Sequence, residues 1–160
     1  MRNLEYSLLL LATFASVAIC CDPGWQKHGS WCFLFGHDAM TWAESAEICR
    51  EFGGFLAEPS TQDIDSYIMS TTRSTNPKKI FWLGGSDLVQ EGKWMWTTTN
   101  VPFSYTNWIP TDPNDGDARR HEDCLITNWS GDGKWADAGC EWKEYFLCQK
   151  EDEPNVGVIG

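Results

Sequence analysis

Cysteine spacing constrains this chain most. Seven cysteines occur in 160 residues, and Cys20 falls at the end of a stretch that reads as a removable leader. The six that remain, Cys21, Cys32, Cys49, Cys124, Cys140 and Cys148, are an even set. In an oxidising compartment such a set predicts three disulfides, and the count alone leaves fifteen connectivities open. No C-x2-C or C-x4-C pair follows the leader, which argues against a structural zinc held by cysteines.

The leader is residues 1–20. Arg2 precedes an apolar run from Leu8 to Ile19, and Ala18-Ile19-Cys20 has the small-x-small pattern of a cleavage site. The run is too short for a bilayer span, which needs about 20 apolar residues, and no second hydrophobic stretch follows it. The expectation is a secreted, extracellular protein without membrane insertion. Twelve Lys and Arg against 23 Asp and Glu give a net charge of −11, which argues against nucleic acid as a partner. Hydrophobic residues at 42% and ten tryptophans provide enough apolar area for a packed core.

Two helices are legible in the first half of the chain. Thr41 and Glu44 form a T-x-x-E capping box, with Trp42, Ala46, Cys49 and Phe52 at helical spacing before Gly53-Gly54. Ser60 with Asp63 predicts a second start, with Ile64, Tyr67 and Ile68 on one face and a break in the polar stretch from Ser70 to Lys79. Short strands are expected at Ile80–Leu83, Lys93–Trp96, Asp123–Ile126 and Tyr145–Cys148. Helices first and strands later indicate an α+β fold. Residues 97–123 carry little periodicity, and 151–160 read as an acidic flexible tail.

That long loop is where carboxylates gather. Asp112, Asp115, Asp117, Glu122 and Asp123 lie within twelve residues, flanked in sequence by Asp87, Glu91, Asp132 and Asp137. If the fold converges them, a hard cation offsets their repulsion, and calcium suits an irregular set of oxygens outside cells. An EF-hand is excluded, because the sixth position counted from Asp112 is Asp117 and not Gly.

Trp82-Leu83-Gly84-Gly85, Glu91 to Trp96, Asn107-Trp108, Asp112-Pro113-Asn114-Asp115, Glu122-Asp123-Cys124, Lys134 to Asp137 and Cys140 through Cys148 occur in the order of a C-type lectin-like domain. The resemblance spans residues 21–150, and the Cys21 and Cys32 pair marks the long form. It implies two helices packed on short antiparallel sheets with a long calcium-binding loop. It also implies the pairings Cys21–Cys32, Cys49–Cys148 and Cys124–Cys140. Asp112, Asn114, Glu122 and Asp137 match the residues that hold one calcium and bind carbohydrate. Pro113 resembles the family's cis proline. Asp87, Glu91, Asp115 and Asp123 match an auxiliary calcium site.

Three features depart from the family pattern. Asp112 stands where Glu is found in mannose-type sites; it keeps the order of acceptor then amide donor but is one methylene shorter. Ala136 replaces an Asn, which removes one calcium oxygen and one donor to sugar, so that Ala136→Asn is expected to raise affinity. The stretch from Asp115 to His121 is long and carries Arg119 and Arg120, which read as a solvated loop balancing its own acids, the alternative being selection of an acidic or sulfated glycan. His28, His37 and His121 read as isolated, Trp94, Trp96, Trp108 and Trp135 as core, and Asn128-Trp129-Ser130 as an N-glycosylation sequon. Neither H-E-x-x-H nor G-x-S-x-G occurs, and no enzyme is expected.

The expected function is therefore a calcium-dependent lectin of mannose-type preference that recognises microbial glycans in innate defence, with homo-oligomers supplying avidity. The alternative is a protein- or mineral-interaction module that keeps the scaffold without sugar binding.

Overall fold

The computed structural model describes residues 21–75, 77–116 and 121–152. Residues 1–20, expected as a leader, Asp117, Arg119, Arg120 and residues 153–160 lie outside the described residues. The chain opens with a hairpin of β1 (Gln26–His28) and β2 (Trp31–Phe35). It then enters α1 (Trp42–Glu51), whose capping box forms as its spacing predicts. Glu44 donates its amide to the Thr41 hydroxyl at 3.3 Å and accepts the Thr41 amide at 2.9 Å. The Thr41 hydroxyl also donates to the Glu44 carboxylate at 2.9 Å, and with the Thr41 amide it holds the exposed Glu44 carboxyl below its ordinary range.

After β3 (Phe55–Leu56), α2 runs from Gln62 to Thr75. Two expectations are corrected here. The cap is Thr61 and not Ser60: Thr61 Oγ1 accepts the Ile64 amide at 3.4 Å, and its carbonyl accepts the Asp65 amide. The helix also continues through the polar stretch that was expected to break it from Ser70. Ser70, Thr72, Ser74 and Thr75 donate their hydroxyls to helix carbonyls three or four residues back, so each satisfies its polar group within the helix.

The remaining strands are β4 (Phe81–Ser86), β5 (Met95–Trp96), β6 (Val101–Pro102), β7 (Cys124–Thr127), β8 (Trp135–Ala138) and β9 (Tyr145–Glu151). Their order is β1-β2-β9-β4-β5-β6, with β3 beside β9 and β7 paired to both β4 and β8. All pairings are antiparallel except β4 with β9, which is parallel. β9 reaches one residue past the expected boundary at 150. Asp152 is held as well, since its amide donates to the Ser30 carbonyl and its carboxylate pairs with Lys27.

The three disulfides are Cys21–Cys32, Cys49–Cys148 and Cys124–Cys140. The second ties α1 to β9 across a sequence separation of 99, and the third closes the far end of the β7–β8 hairpin. No helix among the described residues is long and apolar enough to cross a membrane.

Aromatic packing holds the long loop from beneath. Trp96 and Trp135 are fully buried, and Phe103, Tyr105 and Trp108 of the loop pack their rings against Trp135 at 5.7 to 5.8 Å between centroids. Two buried acids fasten the loop's backbone and side chains. Glu58 accepts the Thr98 amide at 2.7 Å and the Thr99 hydroxyl at 2.7 Å. Asp65, on α2 and 1% exposed, accepts from Trp135 Nε1 (2.7 Å), Asn107 Nδ2 (2.7 Å) and Tyr105 Oη (2.9 Å). Burial nevertheless keeps the Asp65 carboxyl above its ordinary range against these three donors.

Candidate functional site

β8 sets the position of the first group of site residues. Side chains alternate along a strand, so Trp135 and Asp137 share one face while Ala136 and Ala138 take the other. The loop is stitched to this strand by its backbone. Trp135 donates to the Asn107 carbonyl, Ile109 donates to the Trp135 carbonyl, and Asp112 donates to the Ile109 carbonyl. The chain then turns through Asp112–Pro113, a cis peptide. Beyond it the amides of Asn114 and Asp115 both donate to Asp137 Oδ2 at 2.7 Å. Asn114 Nδ2 donates to Asp112 Oδ1 at 2.6 Å, and Asn114 Oδ1 accepts the Gly116 amide. Asp112, Asn114 and Asp137 are thus brought together. Glu122 enters through its backbone amide, which donates to Asp115 Oδ1 at 3.1 Å.

Asp137 is 4% exposed, and its second oxygen, Oδ1, is buried with no hydrogen-bond partner. Burial pushes its carboxyl up, the two loop amides oppose this, and the nearby Asp112 charge adds to it.

The second group lies where β4 ends. Asp87 is 3% exposed; its Oδ2 accepts the Gly92 amide at 2.9 Å, and its Oδ1 has no partner. Its own amide donates to the Asp123 carbonyl, which fixes β4 against the start of β7. Ligand oxygens of Asp87, Glu91 and Asp123 lie within 4.8 Å of one another. Burial first, and then the Glu91 and Asp123 charges, push the Asp87 carboxyl up to about 6 against the pull of the Gly92 amide.

Asp115 joins the two groups. Its amide binds Asp137, while its carboxylate accepts from Glu122 and faces His121 Nδ1 at 3.2 Å from each oxygen. The Glu122 amide and the His121 ring lower the Asp115 carboxyl, and Asp115 in turn raises His121. Asp115 sits at φ 55°, in the left-handed region that Asp tolerates better than most residues.

The donor set fits a hard dication. Among the described residues, two carboxylate oxygens are buried without a partner, Asp87 Oδ1 and Asp137 Oδ1, and each belongs to one of the two groups. A buried anionic oxygen left bare is costly unless a cation or donor meets it. Asp112, Asn114 and Asp137 could hold one ion, and Asp87, Glu91, Asp123 and Asp115 another.

Several expectations change here. Ala136 is 1% exposed and belongs to the apolar cluster of Trp82, Ile126 and Phe146. An Asn at 136 would replace a packed methyl with an amide on the face away from Asp137, so the gain expected from Ala136→Asn has no geometric support. Asn128 is 2% exposed, and its Nδ2 donates to the Lys79 carbonyl at 2.8 Å while its Oδ1 accepts the Gly133 amide. The amide nitrogen that a glycan would occupy is thus buried and bonded inside the fold, and Asn128 is a structural residue. His121 and His28 are not isolated: His121 joins the acids, and His28 stacks on Tyr67 at 4.3 Å and lies 2.9 Å from Asp63. Trp94, Trp96 and Trp135 are core, and Trp108 packs against them. Sequence reading missed Asp65, the buried fork that places Trp135 and the loop, because an acid in a first helical turn, beside Asp63, looks like an ordinary surface residue.

The family model described as "Lectin C-type domain" matches residues 38–150. The galactose-specific lectin nattectin of Thalassophryne nattereri is 34% identical over 81% of this chain and 80% of its own. Perlucin of Haliotis laevigata is 33% identical over 87% and 88%. Among solved structures, a calcium-independent type II antifreeze protein superposes with a TM-score of 0.71 at 32% identity, covering 82% of this chain and 95% of its own.

Proposed function

The chain belongs to the C-type lectin domain family, and from that premise we propose that it is a calcium-dependent carbohydrate-binding protein whose ligand site is built on Asp112, Asn114, Glu122 and Asp137. The observation that carries this reading is Asp137: a nearly buried carboxylate with one oxygen tied to the loop amides and the other bare, beside Asp112 and Asn114. Calcium bound there would supply coordination sites for two neighbouring sugar hydroxyls. The chain's own contribution is polarity. Asp112 accepts and Asn114 donates, an arrangement that matches hydroxyls of the mannose type. Nattectin's galactose specificity belongs to that relative, and the Asp112-Asn114 order here supports the other preference. Asp87, Glu91, Asp115 and Asp123 hold an auxiliary calcium that orders the loop. The setting is extracellular, with microbial surface glycans as the ligands and repeated contacts supplying avidity.

The second reading, an interaction module without sugar binding, has its own support. Ala136 supplies no ligand, and the family includes a calcium-independent antifreeze protein. Calorimetry separates the two. Calcium should bind the chain, and mannose should then give heat that galactose does not and that chelator abolishes. Calcium heat without heat from any sugar would favour the interaction module, and absence of calcium heat would overturn the lectin reading.

A further inference from the structure

Glu91, Asp115 and His121 place three ligand atoms within 4.8 Å of one another at the outer edge of the acid cluster. One of them is a ring nitrogen, which suits zinc, copper or nickel and not the oxygen-seeking calcium ion. Bonds of about 2.0 to 2.2 Å set neighbouring ligands of a tetrahedral zinc about 3.3 to 3.5 Å apart. His121 Nδ1 already stands 3.2 Å from both Asp115 oxygens. Only the exposed Glu91 has to close in.

The adjoining group, which shares Glu91, also lacks a counter-charge among the described residues. Asp87, which shares Glu91 through the neighbouring Asp87–Glu91–Asp123 group, keeps a buried oxygen with no partner. Glu91 therefore stands beside a buried carboxylate oxygen that no donor meets. Among the described residues the other histidine–carboxylate pair, His28 with Asp63, gathers no third ligand.

We infer that Glu91, Asp115 and His121 form a binding site for a borderline divalent ion of the zinc type. The site rests on the calcium reading in one respect: it shares Glu91 and Asp115 with the auxiliary calcium, so zinc and calcium compete there while Asp112, Asn114 and Asp137 stay with calcium.

Zinc chloride titrated into the chelator-stripped full chain should give a binding event that excess calcium weakens. His121→Gln should cost zinc affinity at least the ten- to hundredfold that loss of an outer-shell partner costs. That variant should keep a calcium-induced thermal shift, which also reports that it is folded. Zinc affinity unchanged in His121→Gln, or lost in His28→Gln instead, would overturn the inference. So would absence of zinc heat in a protein that still shows the calcium shift, and the calcium reading would then survive. Zinc binding that depends on His121 in a protein with no calcium shift would support the site and defeat the calcium reading.

Discussion

Asp65 shows how one residue governs a site it does not touch. Its carboxylate takes the Trp135 indole, the Asn107 amide and the Tyr105 hydroxyl, and Trp135 is two residues from Asp137 on the same face of β8. Burial first, and then the hydrogen bond to Asp65 and its charge, push Tyr105 up to about 12, so the phenol stays protonated and donates throughout the physiological range. Asp65→Ala would leave the fully buried indole N–H without an acceptor, at a cost of about 1 to 3 kcal/mol. The urea midpoint should fall accordingly, and calcium affinity should fall with it because the loop loses its fastening. A midpoint equal to wild type would mean that the indole finds another acceptor, and that the fork does not hold the loop.

At the scale of elements, the fold was legible wherever a local pattern was complete. The Thr41–Glu44 box and the stripe from Trp42 through Cys49 to Phe52 define α1, and the apolar runs at Phe81 and Tyr145 mark β4 and β9. The start of α2 was off by one residue because Ser60 and Thr61 are both competent caps, and its end was missed because hydroxyls that suggest a loop can bond back into a helix. Of the site, the acids were visible as a cluster, but partnerless oxygens, the joining role of Asp115 and the approach of His121 depend on loop geometry that no period encodes. The burial of Asn128 was illegible for the same reason, since a sequon says nothing about burial.

Disulfides give these elements unequal roles. Closing a separation of 99 with Cys49–Cys148 is worth about 4.7 kcal/mol in chain entropy, against about 3 for the separation of 16 closed by Cys124–Cys140. Yet Cys124 and Cys140 flank the hairpin between Asp123 and Asp137. Replacing Cys49 and Cys148 by Ala should cost more stability than replacing Cys124 and Cys140, whereas the second pair should cost more calcium affinity. Calcium titrations and urea melts of both double variants test this, and wild-type calcium affinity without Cys124–Cys140 would sink it.

Over the whole molecule, charge and burial set an unusual response to pH. The net charge is −11, and Asp65, Asp87, Asp137 and Glu144 are all raised by burial, Asp87 to about 6. A group whose folded value lies above its unfolded value contributes stability that is full below the unfolded value and is lost as pH rises through the folded one. For Asp87 that window runs from 3.8 to about 6. His121, also raised, has the same sign, while the lowered Asp115 acts only below its ordinary value of 3.8. The chelator-treated protein should therefore melt at a higher temperature at pH 5 than at pH 7.5, the reverse of ordinary acid destabilisation. Calcium should reverse the order, because it would bind ionised carboxylates and compete with the protons that stabilise the metal-free form. At a hundredfold excess over its dissociation constant an ion adds about 2.7 kcal/mol per site, and that gain should be larger at pH 7.5 than at pH 5. Thermal melts at the two pH values, with calcium and with chelator, measure all four states. An equal calcium shift at both would mean that Asp87 and Asp137 do not meet the ion, and the bare oxygens would then need a different partner.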